Sequence, residues 1–366
     1  MRILHCIHHL QGGGAERQLQ LLANASPAHG MTAGIVCVNA DGREAFSQQV
    51  SVFVARRKSH YDPRFILDIA RAIGRFRPDL VHVWLPEIMT VPSLTLAMLR
   101  RIPSVFSYRW AMHWHRPLAL LEFATALMAS RSIISNHALS TDSSPYHWLF
   151  AQKQGVVIPN GVPFHGIRSS GTGEGVATTT TRILFAGRLT QQKNWSCLID
   201  ALALLRTRKN WQLVVCGAGE DRDALIARAQ ALGIDSRVEL RGYVNNLSEV
   251  MAQSQVLVLP SWNEGMSNVM FEAYANGLPC LASDIPQNRE IVDRFHCALL
   301  FDPHSPQSLA RELDRVLDDP ALANRLGAAG QRVAQEYSVD AMVSRHAALY
   351  RQLLGEGLPA DRQQAA

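Results

Sequence analysis

The sequence predicts an α/β protein of two Rossmann-like domains facing across a cleft, and three observations carry that expectation. Strand-like and helix-like segments alternate almost throughout, as in parallel strands joined by crossover helices. The alternation halts at one short polar stretch and then restarts. The chain has 366 residues, enough for two domains at the usual ~100–200 residues each. With 47% hydrophobic and 18% charged residues, the composition is globular and excludes a disordered chain.

The elements follow in order. Arg2–Leu10 reads as a buried strand, followed by Gly12–Gly14. Ala15–Ala25 places Leu19, Leu21, Leu22 and Ala25 at helical spacing. Thr32–Val38 and Val50–Ala55 are the next strands, and Pro63–Phe76 is a helix with proline in its first turn. Leu80–Leu85 and Ser104–Tyr108 are strands around an apolar helix, and Arg131–Ser135 and Val156–Ile158 complete the first half. Ser169–Thr181, SSGTGEGVATTTT, is polar and core-free and reads as a linker. The second half repeats the pattern. Its strands are Arg182–Ala186, Gln212–Cys216, Val238–Tyr243, Val256–Pro260, Cys280–Ser283 and Ala298–Phe301. Its helices are Trp195–Leu205, Ala224–Leu232 and Ser267–Asn276, and Ser305–Leu354 is nearly all helical in period. The expected division is an amino-terminal domain over 1–165, a linker over 166–181 and a carboxyl-terminal domain over 182–336. Ligands of such sheets sit at the carboxyl ends of the strands, and clefts between domains are favoured pockets, so a ligand is expected between the halves.

Several classes drop out. No apolar run reaches the ~18 residues of a membrane span; the nearest, Leu118–Ala129, is interrupted by Glu122. The start, MRILHCIHHL, lacks a secretory signal's apolar region and cleavage site. The six cysteines form no CxxC pair, so a zinc ribbon or disulfide scaffold is not expected. The expectation is a cytoplasmic protein. Charge is uneven: residues 1–165 carry 16 Lys+Arg against 9 Asp+Glu, a net +7, and the rest 20 against 22, a net −2. A basic first half points to an anionic partner, or is a solvated arginine-rich surface.

Three segments could carry chemistry. Gly12–Gly14 lies between a strand and a helix, where backbone N–H groups can approach an anion. The spacing is not GxGxxG, which disfavours a dinucleotide oxidoreductase. Arg188 and Lys193, in GRLTQQKN, lie beyond a strand's carboxyl end and suit a diphosphate. In NEGMSNVMFEAYAN, Glu264 precedes a helix and Glu272 lies inside it. A glutamate on an otherwise apolar helix is costly to bury unpaired, and could accept hydrogen bonds from sugar hydroxyls. Asp221-Arg222-Asp223 spells DxD but follows CGAGE and reads as a helix cap.

Taken in order, GGGAE (Gly12–Glu16), DLVHVW (Asp79–Trp84), PNGV (Pro159–Val162), GRLTQQKN (Gly187–Asn194), CGAGE (Cys216–Glu220), RGYV (Arg241–Val244) and EGMSNVMFE (Glu264–Glu272) resemble the family-4 retaining glycosyltransferases of the GT-B fold. The resemblance covers roughly residues 1–355, and the last element matches the family's E-x7-E motif. It implies that Gly13 and Gly14 approach the donor, and that Arg188 and Lys193 neutralise its diphosphate in place of a metal. It implies that Glu264 contacts the donor sugar, that Gly265, Met266, Ser267 and Asn268 lie near sugar and phosphate, and that Glu272 holds the ribose. Gly242, Tyr243 and Val244 would line the base. The final helix, about 337–354, would cross back onto the first domain. Many members carry a histidine where this chain has Arg109, which cannot act as a general base; His113 is the nearby alternative.

The resulting expectation is a metal-independent, retaining hexosyltransferase with no cofactor. It would move a sugar from a nucleotide diphosphate, UDP rather than GDP, to a glycan or lipid-linked acceptor in lipopolysaccharide or polysaccharide biosynthesis. A sugar-nucleotide epimerase of the same architecture and a non-catalytic nucleotide-sugar-binding protein are the alternatives. No nucleic-acid partner is expected. Leu118–Met128, with Trp110, Trp114 and Trp148, is unusually apolar for a cleft rim. Beside Arg56, Arg57, Lys58, Arg75 and Arg77 it suits an anionic membrane surface, giving a peripheral protein on the inner face of the cytoplasmic membrane. A helix packed on the sheet is the plainer reading.

Overall fold

The computed structural model describes residues 1–10, 13–57, 62, 64–108, 119–136, 145–153, 155–164, 180–205 and 210–355. The chain divides into two units, Met1–Gly161 with Val339–Ala366, and Val162–Ser338. Most of the expected linker lies outside the described residues. Thr181, at its end, is instead the first residue of a strand, its N–H donating to the Asn210 carbonyl at 2.7 Å.

The first unit is a parallel seven-stranded sheet. Its strands are β1 (Arg2–Cys6), β2 (Thr32–Cys37), β3 (Ser51–Val54), β4 (Leu80–Trp84), β5 (Ser104–Tyr108), β6 (Ser132–Ser135) and β7 (Val156–Val157), in the order β3-β2-β1-β4-β5-β6-β7. The central strands are buried on both faces, hence their near-continuous apolar character. Two helices, α1 (Gly14–Ala25) and α13 (Val339–Leu354), close one face through Leu19, Leu22, Met342, Val343 and Tyr350. Four others, α2 (Arg64–Phe76), α3 (Thr90–Leu99), α4 (Ala119–Ala129) and α5 (Pro145–Gln152), close the other.

Beneath α13 runs a buried polar chain. His82, on β4, has Nδ1 2.7 Å from the Tyr350 hydroxyl and Nε2 2.6 Å from Ser107 Oγ. One ring nitrogen donates and the other accepts, and the two hydroxyls complete the set. The Trp84 indole donates to His5 Nδ1 at 3.1 Å. The His82 and Trp84 rings stack, as do those of Trp84 and His346. Burial of His82, Trp84 and His5 is tolerable because they are bonded in this way, and the bonds tie α13 to β4 and β5 and β4 to β1.

The second unit is a parallel six-stranded sheet of β8 (Thr181–Ala186), β9 (Trp211–Cys216), β10 (Val238–Gly242), β11 (Val256–Leu259), β12 (Cys280–Ser283) and β13 (Ala298–Phe301), ordered β10-β9-β8-β11-β12-β13. One face is covered by α6 (Trp195–Leu204), α7 (Arg222–Ala231) and α11 (Pro306–Asp318). The other is covered by α8 (Leu247–Ala252), α9 (Asn268–Ala275) and α10 (Pro286–Phe295). The long α12 (Pro320–Glu336) contributes to both cores. The expected helical tail is therefore three helices. Asp319 and Pro320 start the second, with the Asp319 carboxylate capping the Leu322 N–H at 2.9 Å. Where the chain passes between units, the Val162 N–H donates to the Tyr337 carbonyl at 2.9 Å.

Burial pushes the pKa of His5 down to about 3, in keeping with an Nδ1 that accepts the indole bond. Below about pH 6.5 the unfolded chain binds a proton there that the folded chain refuses. Stability is therefore expected to fall as pH is lowered from about 6.5 toward 3, with a limiting slope of about 1.4 kcal/mol per pH unit from this residue. Urea unfolding across that range checks it: His5→Gln should flatten the slope, and an unchanged slope would contradict the assignment.

Candidate functional site

The second sheet reverses its strand order between β8 and β11, so the crossovers on either side diverge and leave open the carboxyl ends of those two strands. Two loops meet there. After β8, Gly187–Lys193 ends in a 3-10 turn over Gln191–Lys193. Asn194 closes it at φ 48, a left-handed conformation asparagine tolerates, while its buried side-chain amide donates to the Pro303 carbonyl at 2.9 Å. After β11, Pro260–Ser267 leads into α9. The Trp262 N–H donates to the Gln192 carbonyl, and the Gln192 side-chain amide to the Asn263 carbonyl, each at 3.0 Å.

Across this junction Lys193 Nζ donates to Glu264 Oε1 at 2.6 Å. The buried Ser261 donates its hydroxyl to the same oxygen, also at 2.6 Å. The Lys193 and Glu264 side chains are only 17% and 10% exposed, so they interact in a medium where Coulomb forces are much stronger than in water. The other carboxylate oxygen, Oε2, accepts no bond among the described residues, and Lys193 keeps two further N–H donors. Arg188, on the same loop, is exposed.

Glycines set the backbone around this pair. Gly217 has φ +144, and a Cβ on it would overlap the Gly187 carbonyl oxygen; a Cβ on Gly219 would overlap the Leu189 carbonyl. The loops after β8, β9 and β10 are thereby laced: the Gly187 N–H donates to Cys216 at 2.9 Å, Leu189 to Ala218 at 3.0 Å, and Gly217 to Gly242 at 2.7 Å. Next to Gly242, Tyr243 is 80% exposed, while Val244 packs on the core.

The first turn of α9 completes the arrangement. Ser267 precedes it in an extended conformation and gives no side-chain cap. Gly265, Met266 and Asn268 are half-buried around that turn. Met270, Phe271, Ala273 and Tyr274 are buried in the core, and Glu272, between them in sequence, is half-buried.

Other expected residues stand apart. Gly13 and Gly14 open α1 in the first unit, where burial raises the pKa of Glu16, whose carboxyl leans over Gly13. Arg109 and His113 lie outside the described residues. Asp221 stands at the N-cap of α7 but makes no capping bond; its carboxylate accepts the Trp195 indole N–H at 2.9 Å, and Asp223 pairs with Arg222 at 2.9 Å. The expected cap is therefore absent. Sequence reasoning passed over Ser261 and Gln192, because nothing in their spacing shows loops 71 residues apart meeting. It also passed over Glu87, which pairs with His8 at 3.6 Å beyond the ends of β4 and β1.

The chain matches the model of the family described as Glycosyltransferase Family 4 over residues 12–165 and that of Glycosyl transferases group 1 over 173–333. It belongs to glycosyltransferase family 4. Among curated family members, it is 33% identical over 180 residues to the uncharacterized glycosyltransferase MJ1607 of Methanocaldococcus jannaschii, covering 48% of this chain and 46% of that one. It is 23% identical over 363 residues to the lipopolysaccharide core biosynthesis glycosyltransferase LpsE of Rhizobium meliloti, covering 94% and 98%. The chain spans about half or less of the length of the first relatives it matches. Anabaena HepE, solved in complex with UDP-glucose, superposes with a TM-score of 0.79 at 20% identity, over 96% of this chain and 100% of that one. The two sheets are those of the GT-B fold.

For this family-4 protein the glycine packing makes a two-sided prediction. Gly219→Ala must displace the Leu189 carbonyl and is expected to cost about 1–3 kcal/mol. Gly74→Ala, in the interior of α2, meets nothing closer than Arg100 Nη1 at 3.9 Å and should stabilise by about 0.5–1 kcal/mol. Paired unfolding curves check both signs.

Proposed function

We propose that this chain is a retaining glycosyltransferase that moves a sugar from a UDP-sugar to a hydroxyl of a glycan or lipid-linked acceptor. The reaction would belong to lipopolysaccharide or polysaccharide assembly at the cytoplasmic face of the membrane. The observation that carries the reading is the Lys193–Glu264–Ser261 cluster at the reversal point of the second sheet, beside Arg188 and the uncapped start of α9. The name of LpsE supports the process, and the complexes of HepE with UDP and UDP-glucose support the donor.

The chemistry follows from charge. Breaking the sugar–phosphate bond leaves its electron pair on the departing diphosphate. Arg188, the spare N–H groups of Lys193 and the first amides of α9 stabilise that charge as it develops. Glu264 is held by Lys193 and Ser261 and presents Oε2 to the sugar's hydroxyls. Glu272 and the exposed Tyr243 serve the nucleoside. Retention brings the acceptor hydroxyl to the face from which phosphate leaves, so a departing phosphate oxygen can take its proton. No general base on Arg109 is then required. No cofactor or metal has a part in this scheme.

Donor turnover should fall by on the order of 10²–10³ in Glu264→Ala and Lys193→Ala, as when a charge-stabilising donor is removed from other sites. Circular dichroism should be unchanged. EDTA should not inhibit, and NMR of the product should show the donor's anomeric configuration preserved. Full activity in both variants would refute the site; a manganese requirement would refute the metal-free scheme.

A further inference from the structure

A tryptophan beside the site departs from the pattern of those in the core. Trp84, Trp195 and Trp211 are buried, and each indole N–H donates, to His5 Nδ1, the Asp221 carboxylate and the Leu205 carbonyl respectively. Trp262, two residues before Glu264, is 41% exposed. Its indole N–H donates to nothing among the described residues. Leaving so large an apolar ring in water forfeits the gain of burying it. His304 is exposed as well, and its ring centre lies 4.6 Å from that of Trp262, with the planes inclined at 47°. Neither ring nitrogen of His304 is hydrogen-bonded among the described residues.

Both rings are held in place through their backbones. The Trp262 N–H donates to the Gln192 carbonyl at 3.0 Å. On the loop after β13, the His304 N–H donates to Asp302 Oδ1 at 2.9 Å, and the Pro303 carbonyl accepts the Asn194 amide at 2.9 Å. A surface that is already ordered loses less freedom when a ligand arrives. Its polar border suits hydroxyls: Gln191, Asn263 and Asp302 are exposed, and the indole N–H and imidazole nitrogens are spare. A hexopyranose has the matching form, with C–H groups crowded on one face and hydroxyls around the edge. Indole and imidazole rings meet the face, and planar amides and a carboxylate meet the edge. Position sets the nucleobase elsewhere. Tyr243, which serves the nucleoside in the proposed reaction, follows β10 on one side of β8, whereas Trp262 and His304 follow β11 and β13 on the other.

We infer that Trp262 and His304 form a stacking platform for a hexopyranose ring of the acceptor glycan, beside the donor sugar's place and separate from it. The platform belongs wholly to the second unit. The inference rests on the proposed function and narrows it. Among hydroxyl acceptors, it selects one that carries a sugar ring near its reactive end over a lipid without one. Glu264 keeps the donor sugar, and the platform holds the ring that adjoins it.

Saturation-transfer NMR on the full chain loaded with UDP tests it, with maltose, lactose and cellobiose as probes. At least one disaccharide should receive saturation from the parent protein. Trp262→Ala and His304→Ala should each raise that probe's Kd by on the order of ten-fold, as for the loss of one stacking contact. Trp262→Phe should retain most of the affinity. Any residue at 262 other than proline keeps the backbone bond to Gln192, so circular dichroism and UDP affinity should match the parent. Glu264→Gln should leave the probe bound. Saturation transfer to none of the three disaccharides overturns the inference, as does either alanine variant that binds the probe as the parent does. Loss of the probe in Glu264→Gln with retention in Trp262→Ala also overturns it, because the ring then occupies the donor sugar's place. A chain that holds the disaccharide through Trp262 but binds no UDP would sink the enzymatic reading while leaving the platform standing.

Discussion

One constraint underlies the site: the loops after β8 and β9 approach so closely that no side chain fits between them. Gly217 and Gly219 lie against the carbonyls of Gly187 and Leu189, and backbone hydrogen bonds lace the two loops to each other and to the end of β10. Only on that base does Lys193 arrive at Glu264. The ion pair alone would be a poor anchor, because partly burying two charges costs nearly what their attraction returns. Ser261 and the two bonds of Gln192 turn it into a network. What results is a carboxylate held in place with one oxygen spare, and a lysine already oriented.

The two units solve the same problem of a doubly wound sheet with different materials. The second spends its polar groups at the carboxyl edge. The first buries them in its middle, in the His82–Tyr350–Ser107 chain and the Trp84–His5 bond. That interior choice makes a basic, histidine-rich sequence compatible with a neutral core, since a buried imidazole that accepts an indole N–H stays unprotonated. The surplus positive charge lies on arginines at the surface.

Much of the fold was legible, because strands buried on both faces leave a strong apolar signal. Ser104–Tyr108, Cys280–Ser283 and Ala298–Phe301 end where their periodicity ends. Arg2–Leu10 overran, since pairing with β2 and β4 stops at Cys6. Three helices went unseen: α5, between the strands at Ser135 and Val156, α8 for its brevity and α10 for its polarity. At the site, residue types spoke to chemistry but not to contact. Arg188 and Lys193 read as phosphate cations and Glu264 as a sugar ligand. That Lys193 and Glu264 touch is a tertiary fact between loops 71 residues apart, which no local pattern encodes. Asp221 shows the converse: the spacing of a cap was present, but the Trp195 indole claimed its carboxylate.

The placement of α13 bears on the order in which the chain is made. The second unit, Val162–Ser338, is complete as soon as residue 338 leaves the ribosome. The first must wait for Tyr350, because until then His82 lacks one of its two hydroxyl partners and one face of the amino-terminal sheet lacks the part of its cover that α13 supplies. Domains tend to fold as units during synthesis, the earliest made going first. Here the half synthesised first is finished last, and the interval during translation when its apolar face stands bare is where a chaperone would find its substrate.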